Sequence, residues 1–142
     1  MVTIVPTSSG FGYYVNGVPK RIRGVGYNAI TVGDSLDDRM ARYDRDFALM
    51  RSSGINTILG WDQREFDDIL LARAAAHGLG VILPFDLKPS WNYEDPAVKA
   101  KLMLEIETWV ERYKSSPVLR MWGLGNEVIH GMGKNPDAPR PR

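Results

Sequence analysis

Short apolar segments alternate with helical patterns along this chain, and that alternation narrows the folds open to it. Four segments are predicted to be strands, near residues 22–27, 55–59, 80–85 and 118–124. Runs rich in Ile, Val and Leu are typical of strands buried on both faces of a sheet. Because strands that alternate with helices usually pair in parallel through right-handed crossovers, the pattern predicts an α/β fold with a parallel sheet.

Three amphipathic helices are predicted between these strands, since apolar residues recur there with the 3.6-residue period of a helix. Asp95 followed by Pro96 marks the start of the third helix, because Asp is a favoured N-cap and Pro suits the first helical position. The apolar faces are formed by Met40, Tyr43, Phe47 and Met50, by Phe66, Ile69, Leu70 and Ala74, and by Val98, Leu102, Ile106, Trp109, Val110 and Tyr113.

A β-hairpin is predicted ahead of the first parallel strand. Phe11 to Val15 is rich in strand-forming residues, Asn16-Gly17 favours a two-residue turn, and Val18 to Arg23 forms the returning arm. The predicted organisation has three parts: an N-terminal segment with the hairpin over 1–23, the strands and helices over 24–127, and a loop or tail without apolar period over 128–142.

Composition excludes several classes of function. The 142 residues are 44% hydrophobic, which fits one globular domain, and no apolar run is long enough to span a membrane. The net charge of +1 gives no sign of a nucleic-acid or membrane partner. With no cysteine and two histidines, neither a disulfide framework nor a metal site is expected, and no cofactor is implied. The N-terminus does not resemble a signal peptide, so the cellular location stays open.

Gly24 to Ala29 matches the spacing of a dinucleotide-binding loop, G-x-G-x-x-A, with Asp44 about 20 residues further on. The surrounding sequence does not fit that function. The preceding strand contains Lys20 and Arg23, and the segment from Thr31 to Asp38 is not amphipathic, so no helix N-terminus is predicted to face a pyrophosphate. A nucleotide-binding α/β domain is therefore a minor alternative.

Asn126 and Glu127 directly follow the fourth predicted strand, after Trp122-Gly123-Leu124-Gly125. In parallel α/β folds the carboxyl ends of the strands form the active face. A carboxylate there is well placed for acid/base chemistry, and a neighbouring amide can hold a hydroxyl. The competing interpretation is a helix-capping Asn beside a solvated Glu, and position alone favours neither.

Four segments occur in an order that resembles the clan A retaining glycoside hydrolases, which include family 2, family 5 and family 72 enzymes. The segments are Val15–Asn28, Asp46–Ile58, Ala76–Leu83 and Ser116–Glu127. The resemblance covers about residues 11–130. It implies a (β/α)8 TIM barrel of which this chain forms the N-terminal half, with about four βα units.

The same resemblance implies a retaining mechanism of O-glycosyl hydrolysis or transglycosylation. Glu127 is then the general acid/base, and Asn126 contacts the 2-hydroxyl of the sugar. The family's second carboxylate, a nucleophile on strand seven, has no counterpart in this chain. Asp62 and Asp86 follow predicted strands two and three and are alternative second carboxylates, although Asp at such positions is often a helix cap.

Further substrate contacts are predicted from position at the strand ends. Trp61 and Trp91 follow strands two and three, where an indole suits stacking on a sugar face, although covering the barrel rim is an equal alternative. Tyr27 and Asn28 end the first strand on the same face. The predicted partner is thus a carbohydrate: an oligosaccharide, polysaccharide or glycoside.

Half a barrel leaves two sheet edges open, and open edges pair readily with other chains. We expect the missing C-terminal half-barrel or a self-association partner to cover them, and we expect the chain to be an inactive fragment when alone. The sequence leaves two other functions open: a non-catalytic carbohydrate-binding or assembling half-barrel, and the nucleotide-binding domain considered above.

Overall fold

The computed structural model describes residues 1–29 and 33–128. The elements are β1 (Val2–Thr7), β2 (Gly10–Val15), β3 (Val18–Pro19), β4 (Gly24–Gly26), α1 (Leu36–Ser52), β5 (Thr57–Leu59), α2 (Asp68–Ala76), β6 (Gly80–Phe85), α3 (Pro96–Tyr113) and β7 (Leu119–Leu124), with a short 3₁₀ helix over Gln63–Glu65. None of the helices within these ranges is long and apolar enough to cross a membrane.

The N-terminal segment forms a three-stranded antiparallel sheet in the order β1-β2-β3. The predicted hairpin is present between β2 and β3, and its turn residues Asn16 and Gly17 both have positive φ, 51° and 76°. The returning arm, Val18–Pro19, is shorter than the predicted Val18 to Arg23, although the N–H of Lys20 still donates to the carbonyl of Tyr13 at 2.9 Å. The sequence did not predict β1, which pairs with the whole length of β2 from Val2↔Val15 onward.

The four remaining strands form a parallel sheet in the order β4-β5-β6-β7, which confirms the predicted fold class. One helix lies between each successive pair of strands, as in the first half of a (β/α)8 barrel. Gly24 and Gly26 lie inside β4 and pair with Thr57 and Leu59. They do not lead into a helix N-terminus, since α1 begins only at Leu36, and the dinucleotide-loop interpretation has no support from this geometry.

The core lies between the helices and one face of the parallel sheet. Tyr43 and Phe47 of α1 are fully buried and stack with ring centroids 5.6 Å apart, as their helical spacing predicted. On the sheet, Val81 and Leu83 are also fully buried. Because side chains alternate along a strand, Ile82 between them points to the opposite face, which is the interior side of a barrel.

Side-chain caps define where the helices begin. The prediction that Asp95 caps α3 and Pro96 opens it is confirmed, with Asp95 accepting from the N–H of Ala97 at 2.8 Å. The first helix starts earlier than its apolar period suggested. Ser35 and Asp38 form a reciprocal capping box, which satisfies backbone donors that the first turn would leave unpaired and so extends α1 back to Leu36.

The described sheet has two open edges, since β4 pairs only with β5 and β7 only with β6. Apolar side chains are uncovered at the β7 edge: Leu124 is 61% exposed and Met121 is 37% exposed. Leu124 is in register with Phe85, a buried residue of β6 that faces the helix layer. A further element packed beside β7 would therefore continue the same core.

Candidate active site

The carboxyl ends of β6 and β7 lie side by side, with Phe85 in register with Leu124. The loop after β7 is fastened to β6, because the backbone N–H of Gly125 donates to the carbonyl of Phe85 at 2.8 Å. Asn126 and Glu127 are the next two residues, and both are exposed. The local structure thus holds their backbone at the edge of the sheet where its parallel strands end.

Two residues of this loop have left-handed backbone conformations. Gly125 has φ 70°, and a β-carbon on it would lie 2.5 Å from the side chain of Val128, so a larger residue does not fit there. Glu127 has φ 51°, an unusual conformation for a side-chain-bearing residue that costs about 1 kcal/mol. Strain of this kind is concentrated at functional sites, where it aims a side chain.

Trp61 and Asn126 line the same small cavity, about 100 Å³ in volume. Its other lining residues include Leu59, Ile82 and Gly123 from the interior face of the sheet. Trp61 is 40% exposed, so an indole face remains available to a ligand. An apolar floor with an amide at its rim suits a sugar, which has apolar C–H faces and polar edges.

Trp91 lies apart from this cavity. It is half-buried, packs beside Tyr93 with ring centroids 6.4 Å apart, and lines a different cavity together with Val98 and Leu102 of α3. The structure therefore brings one of the two predicted indoles to Asn126 and places the other against the third helix.

Tyr27 belongs to the core, in contrast to the substrate contact predicted from its position. It is 8% exposed, and its hydroxyl donates to Asp46 at 3.0 Å and accepts from Arg42 at 3.2 Å. Burial, with help from the hydrogen bond to Asp46, raises the pKa of Tyr27. The side chain turns toward α1 because its ring completes the aromatic cluster there. Asn28, the next residue, is exposed.

Asp62 acts as a cap within the described structure. It accepts from the N–H of Arg64 at 2.9 Å at the start of the 3₁₀ helix, and it forms an ion pair with the Arg64 guanidinium. The hydrogen bonds from Arg64 hold the pKa of Asp62 below its ordinary value, although burial acts in the opposite direction. A carboxylate held ionised in this way is a poor general acid near neutral pH, but it keeps the charge that a nucleophile needs.

Asp86 is also paired with a cation, Lys88, two residues further along the loop after β6. Its backbone N–H donates to the side-chain oxygen of Gln63 at 2.7 Å. Gln63 thus ties the loop after β6 to the loop after β5. Sequence reasoning missed this link, since no spacing rule connects residues 23 positions apart. The sequence did carry a signal for the ion pairs of both carboxylates, because a cationic residue stands two positions after each Asp.

No group of three His, Asp or Glu side chains within 1–29 and 33–128 is placed to hold a metal ion. Of the predicted tail over 128–142, only Val128 falls inside the described residues. The candidate site that can be built from the described residues therefore consists of Trp61 and Asn126, which share a cavity, and of Glu127, the next residue in the chain. Asp62 and Asp86 are each ion-paired with a cation.

No protein-family model matches the chain, and no curated protein matches it in sequence. Among solved structures, it is similar to the β-glucuronidase of Parabacteroides merdae, a structure with glycerol in its active site. The TM-score is 0.67 at 19% sequence identity, over 89% of this chain. The chain spans 16% of the length of that enzyme. A likeness at this identity shows the fold alone, which is that of a partial TIM barrel.

Proposed function

We propose that this chain forms the first four strands of the catalytic barrel of a retaining glycoside hydrolase, acting by O-glycosyl hydrolysis or transfer. The observation that carries the proposal is the placement of Asn126 and Glu127. They directly follow the fourth parallel strand, at the edge of the sheet where Trp61 lines a cavity with Asn126. The similarity of fold to a β-glucuronidase supports the same class of reaction.

Glu127 is the proposed general acid/base. In the first step its carboxylic acid protonates the glycosidic oxygen, while a second carboxylate attacks the anomeric carbon and the leaving alcohol departs. In the second step the Glu127 carboxylate takes a proton from water, or from an acceptor hydroxyl, which displaces the sugar from the enzyme. Asn126 is the proposed partner of the 2-hydroxyl, a contact that strengthens as positive charge develops on the sugar ring.

The second carboxylate is proposed to come from polypeptide beyond these 142 residues. Retention requires it about 5–5.5 Å from the acid/base. The candidates within the described residues, Asp62 and Asp86, are each held by a cation. The open edges at β4 and β7 and the uncovered Leu124 fit a barrel completed by further strands. The partner is thus the other half-barrel, and the substrate is a carbohydrate.

The experiment is turnover of alkyl glycosides, whose poorly acidic leaving alcohols need protonation, by the native polypeptide that contains residues 1–142. Glu127→Gln removes the titratable proton and keeps the shape of the side chain, and it is expected to lower kcat/KM by about 10²–10⁴-fold. Glu107→Gln on α3 is the matched control, since that carboxyl is exposed and lines neither the cavity of Asn126 nor that of Trp91, and it should leave kcat/KM unchanged. Equal activity of the Glu127 variant and the wild type would overturn the proposal.

Substitutions of the two aspartates test where the second carboxylate lies. If polypeptide beyond Arg142 supplies it, Asp62→Asn and Asp86→Asn retain activity within a few-fold. A loss as large as that of Glu127→Gln at either position would assign the second carboxylate to that aspartate instead.

A non-catalytic carbohydrate-binding half-barrel is the second candidate. It is favoured by one observation: Asp62 and Asp86, the candidates for the second carboxylate among the described residues, each form an ion pair with a cation. This alternative predicts sugar binding that depends on Trp61 and survives Glu127→Ala, with no turnover of any glycoside by the native polypeptide.

A further inference from the structure

A second cavity, about 220 Å³ in volume, lies between the N-terminal sheet and the opposite ends of the parallel strands. Thr57, the first residue of β5, contributes to its lining. The cavity is thus separated from Asn126 by the length of the strands. We call it the lower cavity, and its defining side chains are Tyr13, Lys20, Arg21, Arg51, Thr57 and Arg120.

Positive charge is concentrated in the lower cavity. Four cationic side chains line it, those of Lys20, Arg21, Arg51 and Arg120, and no acidic residue contributes to the lining. The ion pairs found among the described residues all involve other cations. Four like charges around one space repel one another, so an anion placed between them lowers the electrostatic energy.

The backbone of β7 directs Arg120 into this space. The pairing of β6 with β7 runs from Val81↔Leu119 directly to Ile82↔Met121, so Arg120 is the extra residue of a β-bulge. Bulges of this kind re-aim a side chain and recur beside functional sites.

Arg120 is also held in place by its neighbours. Its aliphatic stem lies over Gly80, where an added β-carbon would be 2.5 Å from Cγ. Its Nη1 donates to the carbonyls of Pro117 and Leu119 at 2.8 and 3.1 Å. Nε and Nη2 have no acceptor among the described residues. These two nitrogens lie on one side of the planar guanidinium group, the Arg120 fork, and together they can donate to two oxygens of one anion.

Tyr13 supplies a donor that nothing in the described residues satisfies. Its hydroxyl is buried and has no hydrogen-bond partner there. Burial raises the pKa of Tyr13, and the charge of Arg120 acts in the opposite direction, which places the two groups within electrostatic reach. A buried hydroxyl without a partner is uncommon, and it leaves a donor available to a ligand in the lower cavity.

We propose that the lower cavity binds a phosphate group, either free or carried by a small molecule. The Arg120 fork and the Tyr13 hydroxyl would donate to its oxygens, while Lys20, Arg21 and Arg51 balance its charge. Phosphate fits better than a carboxylate because it is close to a dianion at neutral pH and offers more acceptor oxygens to donors that surround it. The site is separate from the proposed catalytic edge and does not depend on the proposed function.

Titration of the native polypeptide that contains residues 1–142 with inorganic phosphate, followed by amide NMR at constant ionic strength, tests the proposal. Saturable shifts are expected at Tyr13, Gly80 and Arg120. Arg120→Met keeps the stem over Gly80 and removes the guanidinium, and it should weaken binding tenfold or more. Arg120→Lys should recover part of that loss, and Tyr13→Phe should weaken binding a few-fold. A parallel titration with glucose 6-phosphate distinguishes a free phosphate from a phosphate ester.

Arg45→Met is the matched control, because it removes the same charge from an arginine that is 73% exposed and already paired with Asp46. It should leave the phosphate affinity unchanged. Two results would overturn the proposal: sodium chloride producing the same shifts as phosphate, or Arg120→Met and Arg45→Met having equal effects. If Arg120→Met does not fold, the phosphate affinities of Tyr13→Phe and Arg21→Met are compared with that of Arg45→Met, and equal affinities would overturn the proposal.

Discussion

The Trp61 indole lies directly over Gly26: a β-carbon added to Gly26 would be 2.6 Å from the ring. Gly26 ends β4 and Trp61 follows β5, so the contact joins two neighbouring strands at their carboxyl ends. Because Gly26 has no side chain, the Trp61 indole can lie against β4, at the edge of the cavity that it lines with Asn126.

Gly26→Ala should displace the Trp61 indole, because the added methyl group occupies the position of the ring. We expect a red-shifted tryptophan emission, stronger quenching by acrylamide and a stability loss of about 1–3 kcal/mol. Gly24→Ala is the matched control on the same strand, since its β-carbon would meet only ordinary contacts at 3.5 Å or more. Equal spectra for the two variants would contradict the contact.

Trp61→Ala should weaken binding of a sugar more than Trp91→Ala does. Trp61 lines the cavity with Asn126, whereas Trp91 lines a separate one against α3. We expect a loss of about tenfold for Trp61→Ala and less than twofold for Trp91→Ala, from the stacking energy of an aromatic face. The measurement is titration with methyl glycosides and oligosaccharides, followed by NMR. A larger loss of affinity for Trp91→Ala than for Trp61→Ala would place the sugar in the cavity against α3 instead.

Gly60→Ala should be strongly destabilising. Its β-carbon would lie 1.9 Å from the ring of Phe66, which is fully buried and cannot withdraw. A loss of about 3 kcal/mol is expected in chemical denaturation. At the end of β7, Gly123→Ala places its β-carbon at 3.8 Å from the nearest atoms, and its cost should be much smaller. Comparable midpoints for the two variants would show that the turn around Gly60 is not packed as described.

Asp62 should stabilise the fold only while it is ionised. Its pKa is lower in the folded chain than its ordinary value of 3.8, so its contribution is complete above that value and is lost as pH falls through the folded pKa. Asp62→Asn keeps the capping oxygen and removes the charge. We expect a cost of about 0.5–1 kcal/mol at pH 6 that vanishes in strong acid. Asp62→Ala, which also removes the cap, should cost about 1 kcal/mol more at pH 6. A cost of Asp62→Asn that does not vary with pH would contradict the ion pair.

The parallel strands and helices could be predicted because their signals are local. Apolar runs and the helical period identified β5, β6, β7 and all three helices, and the Asp95-Pro96 pair located the start of α3. β1 was missed because its residues, other than Val2, are exposed and carry no buried pattern. It pairs with β2 in a local hairpin that closes at Thr7↔Gly10, and its β-branched residues Val2 to Val5 were a strand signal that the search for buried patterns did not use.

The candidate site was predictable in part. Position after a strand predicted that Asn126, Glu127 and Trp61 lie at one edge, since the carboxyl ends of parallel strands meet there, and Trp61 and Asn126 do line one cavity. Their roles stay predictions. The same rule placed Tyr27 on that edge, but its ring is turned into the core by the aromatic residues of α1. The Gln63 link to Asp86 and the bulge at Arg120 arise from packing between distant segments, which only the folded chain reveals.

The role of Glu127 is tested most directly by comparing how much Glu127→Gln lowers kcat/KM for substrates with poor and with good leaving groups. Protonation by Glu127 matters most for a poorly acidic alcohol, and it matters little for 2,4-dinitrophenol, which departs as an anion. In the native polypeptide, Glu127→Gln should lower kcat/KM by about 10³-fold or more for an alkyl glycoside and by a far smaller factor for the 2,4-dinitrophenyl glycoside of the same sugar. Equal losses for both substrates, or none for either, would contradict the assignment of Glu127 as the general acid/base.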